Sequence, residues 1–384
     1  VWRKSPTASI KDEAWIVTRL TLAHYIQLLE EVGEPFAVLP LQDGASALIT
    51  QRGGRVLGLF PSSDDENLFW TSSAWESADA FRAFIKRTDG WHWNIGGDRV
   101  WIAPEITYNV RDRRDFAGTW DIPKAMDPGN YKLSNYTDSG NGIAISSRFI
   151  LNGYHHGNLI GHTEIDNTRH LNAGANPIAN YPIKGDVHFM GYIDWCEFGL
   201  IRPYNSTEMG TPAEIWSLVQ LNAGGTLIVP VIGDVSASDY VKPVPDFARA
   251  VKNGAIHLPL DGREQFKIGY KALCMTGRMG YFHDLPDGRA SLLVRQFYND
   301  PSNLYAEEPP EEPGNSGHSV HVYNDGGAAH NGRPFCEMEC SGRTLGRLDK
   351  AKWMASNELM SLWAYVGEPE AIRDVCRLLL GSAP

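Results

Sequence analysis

Short stretches in which apolar and polar residues alternate, cut by Gly, Asn, Asp and Pro, run through most of the chain. Alternation with a period of two marks a half-buried strand. It predicts strands over 36–40, 45–51, 55–61, 99–103, 142–151, 185–198, 225–231, 265–273, 290–298, 319–324 and 334–340. Helical spacing occurs in two places. Residues 20–32 set Leu20, Ala23, Tyr25, Ile26, Leu28 and Leu29 on one face, and residues 367–381 open with Pro369 and Glu370 and end at Gly381. Many strands without βαβ alternation predict an all-β antiparallel sandwich with a few peripheral helices. No repeat or linker interrupts the pattern. Residues 36–384 are therefore expected to form a single sandwich domain ending in a C-terminal helix, with 1–35 an N-terminal extension and helix packed on it.

Net charge is −11 over 384 residues, which argues against a nucleic-acid backbone or an anionic membrane as partner. No run of 18 apolar residues is present, so no membrane span is expected. GxGxxG, Walker, HExxH and GxSxG patterns are missing, and no cofactor is expected. The 12 Trp, 15 Tyr and 14 Phe supply flat apolar faces of the kind that stack on pyranose rings, although a large sandwich also buries such rings in its core. The five cysteines are scattered without a CxxC pair, and Cys336 and Cys340 read as small core residues. This slightly favours a reducing compartment, the cytoplasm over secretion. Sequons stand at Asn135 and Asn205, and Val1 reads as a processed or trimmed end.

Four segments carry candidate chemistry. In 334–340, period two puts Cys336, Met338 and Cys340 on a core face and Phe335, Glu337 and Glu339 on the other. The two carboxylates then stand roughly 7 Å apart between Cα atoms. Like charges so close raise at least one pKa, which suits acid/base work; the same pattern also fits a solvated sheet face. In 319–324, Val320 and Val322 point inward, and Ser319, His321 and Tyr323 share the opposite face. A hairpin between these strands would set His321 and Tyr323 beside Glu337 and Glu339. In 186–198, His188, Met190, Tyr192 and Asp194 form a polar face that reads as a second cleft wall or a solvated surface. In 94–105, Gly96 and Gly97 permit close backbone approach before a strand carrying Arg99 and Trp101, with Glu105 beyond it. His155, His156, His162 and His170 match no compact metal motif and sit where Asn and Gly density suggests loops; no metal is expected. The acidic, Pro-rich stretch 299–316 reads as a solvated loop or as a lid or cleft wall.

The run Gly96-Gly97-Asp98-Arg99-Val100-Trp101-Ile102-Ala103-Pro104-Glu105 resembles the glycine-glycine-x-Arg strand of an uncharacterised group of galactose-mutarotase-like proteins. Residues 215–226, beginning Ile215-Trp216-Ser217, then Phe266-Lys267-Ile268-Gly269-Tyr270 and 335–342 resemble further blocks in the same order. This resemblance implies an antiparallel β-supersandwich whose concave sheet binds sugars. Mutarotases of that fold pair a His acid with a Glu base. Glu339, before Cys340-Ser341-Gly342, is similar to the base, and Arg99 to the substrate-binding arginine. The His-x-Tyr-Phe block of the acid is missing, so His188 and His321 stand in for it by strand face alone.

These readings converge on a carbohydrate-active enzyme doing acid/base chemistry at or near a sugar anomeric carbon. Glu339, Glu337, His321 and His188 are the candidate catalytic residues. Arg99, Tyr192, Tyr323, Trp101, Trp216 and Glu105 are the candidate substrate-binding residues. A glycoside hydrolase using the Glu pair, a polysaccharide lyase and a non-catalytic sugar-binding module remain as alternatives. The expected partner is a mono-, oligo- or polysaccharide, and exposed sheet edges leave room for an oligomer.

Overall fold

The computed structural model describes residues 19–87, 91–136, 142–201, 211–326, 333–346 and 353–384. The N-terminal stretch 1–18, the Asn205 sequon and Thr137 of the other sequon lie outside them. The strands begin with β1 (Phe36–Pro40), β2 (Ser46–Thr50), β3 (Arg55–Phe60), β4 (Asp98–Ala103), β5 (Lys132–Asn135), β6 (Gly142–His155) and β7 (Asn158–Ala173). They continue with β8 (Val187–Ile201), β9 (Glu214–Asn222), β10 (Gly225–Pro230), β11 (Ala237–Asp239), β12 (Val251–Lys252) and β13 (Ala255–Leu260). Then come β14 (Phe266–Lys271), β15 (Arg278–Asp284), β16 (Ala290–Phe297), β17 (His318–Asn324), β18 (Phe335–Ser341) and β19 (Trp353–Gly367).

Two antiparallel sheets result. One runs β1-β2-β3-β4-β9-β18-β17-β14-β11, the other β12-β13-β10-β15-β16-β19-β8-β7-β6-β5. Between them lie the inward residues of both, among them Val219, Ile268, Val322 and Met338 from the first and Phe198, Leu293, Met360 and Leu362 from the second. Each such side chain contributes roughly 1.5–3 kcal/mol by leaving water. The sheets meet where Cys340 Sγ lies 3.8 Å from Met360 Sδ. Helix Leu22–Val32 lays Tyr25, Leu28 and Leu29 against Leu48 and Leu57 of the first sheet. Helix Pro369–Leu380 packs Ile372, Val375 and Leu379 on the outer face of the second.

A charged clasp crosses the sandwich. Asp98 of β4 accepts from Arg295 Nη2 at 2.7 Å and from the Tyr192 hydroxyl, and Arg169 Nη2 stands 3.6 Å from it. Arg169 also donates to Asp194 at 2.7 Å. All five side chains are buried. This corrects the reading of 186–198. The face with Met190, Tyr192 and Asp194 turns into the core, where Arg169 of the neighbouring β7 pairs with Asp194 and Asp98 of the opposite sheet accepts from Tyr192. The histidine-rich segment is a second correction. Instead of loops, β6 and β7 form one long hairpin from Gly142 opposite Asn172 to His155 opposite Asn158. Its His162, His170 and Asn172 side chains alternate with the buried Thr163 and Leu171.

Candidate active site

The site lies on the face of the first sheet turned away from the second. β18 is central in that sheet, with β17 on one side and β9 on the other. His321 stands opposite Glu339 and Tyr323 opposite Glu337, the hairpin register expected from the alternation. Leu218 pairs with both Glu339 and Arg99, so β4 brings Arg99 into the same row across the sheet. The approach of β4 requires Gly96 and Gly97. Both have positive φ (100° and 86°), and a Cβ on either would sit 2.4–2.5 Å from a backbone oxygen of Trp70 or Val56.

A cleft of about 320 Å³ opens over this row, near the lower end of the ~300–1,000 Å³ found for small-molecule sites. Its roof is aromatic. Trp91 stacks on Trp93 with centroids 5.6 Å apart, and Trp120 lies 6.0 Å from Trp91. Arg55 fixes this roof by donating to the carbonyls of Trp93 (2.9 Å) and Gly96 (2.8 Å) while pairing with Asp127. Trp101 donates to the same Asp127 at 2.9 Å. Trp120 follows the turn Phe116–Thr119 and donates its indole N–H to Glu105 Oε1 at 2.8 Å.

Two polar clusters occupy the floor. At one, Lys267 Nζ lies 2.8 Å from Glu105 Oε2, 3.6 Å from Glu339 Oε2 and 4.4 Å from the Trp216 ring centroid. Trp216 donates to Glu339 Oε2 at 2.8 Å, while Glu339 Oε1 has no protein partner. At the other, Arg99 Nη2 donates to Glu337 Oε1 at 2.8 Å, and its guanidinium covers the Trp101 ring at 4.1 Å. Arg99 Nε and Nη1 are buried without a protein partner.

The electrostatics follow from burial. Removal from water pushes the Glu339 carboxyl up to about 7; Lys267 pulls against that shift, and Glu337 and Glu105 add to it. Burial also opposes the charge on Lys267, but Glu105, Glu339 and Glu307 outweigh it and hold the ammonium well above its usual range. Glu307, from the 299–316 stretch, accepts from the Glu105 backbone N–H, and burial followed by the Glu105 charge drives its carboxyl far up. That stretch thus packs behind Glu105 and also receives Arg113 at Glu308.

Of the expected site residues, Glu339, Glu337, Arg99, Trp101, Trp216, Glu105 and Tyr323 line the cleft together. His321 sits one layer back, with Nε2 3.1 Å from the hydroxyl of the cleft-lining Tyr240. Burial, then the Lys267 charge, pulls His321 well below its ordinary range, so its imidazole is neutral. His188 and Tyr192 are elsewhere. Tyr192 belongs to the clasp, and His188 lines a depression with Asp43, Asp186 and Glu368 on the second sheet. Sequence reasoning missed Lys267, Tyr240, Trp91, Trp93 and Trp120. For Lys267 a signal existed: period two sets Lys267 and Gly269 opposite the apolar Phe266, Ile268 and Tyr270, all three of which are buried.

Comparison with solved structures finds several proteins with a similar course of the chain. A galactose 1-epimerase from Lactobacillus acidophilus is 8% identical with a TM-score of 0.43, over 87% of this chain and 95% of that one. A galactose mutarotase-like protein from Clostridium acetobutylicum is 11% identical with a TM-score of 0.39, over 84% and 92%. An aldose epimerase homologue from C. elegans is 10% identical with a TM-score of 0.36, over 86% and 98%. Comparison with curated proteins gives no match. The model of one family, described as "Family of unknown function (DUF6786)", matches residues 42–355.

Proposed function

The chain belongs to the DUF6786 family of unknown function, and from its cleft we propose a carbohydrate-active enzyme performing acid/base chemistry at or near the anomeric carbon of a neutral sugar. The observation that carries this reading is the state of Glu339. One oxygen is anchored by Trp216 and Lys267, the other is free, and the carboxyl titrates near neutrality under a tryptophan roof. A general base works best with its pKa near the operating pH. Both cations of the cleft are already compensated, Arg99 by Glu337 and Lys267 by Glu105. Among the described residues a sugar carboxylate would find no unpaired positive charge there, which favours a neutral substrate over a uronate.

In this reading Glu339 Oε1 takes the proton of the C1 hydroxyl as the C1–ring-oxygen bond breaks. The Tyr240 hydroxyl, backed by His321, gives a proton to the ring oxygen. Reclosure on the other face of the carbonyl returns both protons and yields the other anomer. Arg99 and Glu337 hold sugar hydroxyls, and the indoles cover the C–H faces.

The test follows simple aldoses, oligosaccharides and uronate polymers by proton NMR, with Glu339→Gln in parallel. Anomer exchange should accelerate, rise with pH through about 7 as the carboxylate forms, and fall by roughly 10²–10⁴-fold in the variant. Full activity of Glu339→Gln would overturn the assignment. A non-catalytic sugar binder is the second reading, favoured by the tight pairing of both cations and by the position of His321 behind Tyr240. Saturable quenching of tryptophan fluorescence without turnover would establish it.

A further inference from the structure

The cleft is larger than one sugar ring and its polar groups fall into two clusters, and we infer that it takes a glycan of at least two rings, with the reacting ring over Glu339 and a second ring over the Arg99–Glu337 pair. This rests on the sugar reading above and names the size of the substrate. A hexose has a dozen heavy atoms and fills roughly 150–200 Å³ at the density of close-packed organic matter. The cleft, at about 320 Å³, exceeds one such ring.

Its length agrees with its volume. Glu339 and Phe335 both line it and stand four residues apart on β18, about 13 Å at the rise of a strand. A single pyranose over Glu339 leaves the Phe335 end empty. That end is built for polar contact. Tyr323 lies beside Glu337, Gln265 donates to the Tyr323 hydroxyl at 2.8 Å, and Arg99 keeps two buried N–H groups without partners. Unpartnered buried donors are costly unless a ligand or water meets them. Glu339, whose Oε1 has no protein partner and whose carboxyl burial pushes up to about 7, stands at the other end, while Glu337 is tied to Arg99. The second cluster therefore holds a ring without reacting with it. Chemistry at a free anomeric carbon requires the ring over Glu339 to be a reducing end, so the second ring is attached through one of its other hydroxyls.

Isothermal titration and tryptophan fluorescence would compare glucose and galactose with maltose, cellobiose, lactose and melibiose. The wild type, Tyr323→Ala and Gln265→Ala would be measured side by side, with circular dichroism confirming that each variant is folded. At least one disaccharide should bind tenfold or more tightly than its own reducing-end monosaccharide, and either variant should shrink that ratio. Gln265 is exposed, so its variant remains informative if Tyr323→Ala does not fold. Equal binding of mono- and disaccharides, or a ratio unchanged in both variants, would overturn the two-ring inference while leaving the assignment of Glu339 standing. Absence of any sugar binding and of anomer exchange would remove the sugar reading itself, and this inference with it.

Discussion

Lys267→Met removes the only cation within reach of both Glu105 and Glu339 among the described residues while keeping an unbranched stem to lie on Trp216. The lysine and Glu105 side chains are only 8% and 10% exposed, so screening by water is slight. Deleting one partner of a buried pair costs about 3–5 kcal/mol, since the other charge is left uncompensated. The wild-type lysine has its folded pKa raised, so its stabilisation is fully present below the unfolded value of ~10.4 and does not vary between pH 5 and 8. The variant behaves differently. Without Lys267, the folded pKa of Glu339, already about 7, rises further above its unfolded ~4.3. Carboxyls so raised destabilise increasingly as pH climbs from the unfolded value to the folded one, then by a constant amount. Urea unfolding of wild type, Lys267→Met and Lys267→Arg at pH 5 and pH 8 reads this directly. The Met variant should lose about 3–5 kcal/mol at pH 8 and under about 2 kcal/mol at pH 5, where protonation of Glu339 relieves part of the uncompensated charge. Arg should retain most of the stability. The rate profile of the Met variant should also move upward from about 7, because Lys267 holds the Glu339 pKa down. An equal loss at both pH values would show that the lysine acts through packing, and the electrostatic account of the site would fail.

Trp216→Phe keeps the ring but removes the N–H that Glu339 Oε2 accepts. It should cost about 1–3 kcal/mol in urea unfolding and shift the pH midpoint of activity upward, since that hydrogen bond lowers the Glu339 pKa. Glu307→Gln should stabilise the protein at pH 8. The folded pKa of Glu307 lies far above its unfolded value, so the wild type loses stability as pH rises past ~4.3, whereas Gln has nothing to ionise. Melting temperatures of the two proteins should converge below about pH 4; a constant difference across the range would contradict a protonated Glu307.

The sequence exposes what has a local period and hides what is assembled across the chain. Both long helices and the pairing of β17 with β18 could be read because each presents one apolar face, Val320 and Val322 against Met338 and Cys340. β9 escaped because every residue from Glu214 to Leu221 is buried, so no alternation survives. The error over His188 and Tyr192 has a related cause. Period two groups Met190, Tyr192 and Asp194 correctly, but it cannot say which face turns inward when Arg169 and Asp98 satisfy polar groups in the core. The cleft walls could not be read at all. Trp91, Trp93 and Trp120 lie in irregular segments, and Arg55, Asp127 and Glu105 set their positions over long separations.

The division of labour within the site follows from the same contrast. β18 alone would present Glu337 and Glu339 to water, where two carboxylates a strand step apart are unremarkable surface groups. Glu339 is instead fully covered, and burial is the largest influence on its titration. Trp216 of the neighbouring β9 and Lys267 of β14 stand against it, and Trp91, Trp93 and Trp120 line the same cleft. Lys267 then keeps the shift moderate, since a carboxyl desolvated with no cation near it would stay protonated and could not act as a base. On the proposed reading, the strands therefore fix where the carboxyl stands, and its burial, set against the charge of Lys267, fixes the pH at which it exchanges a proton.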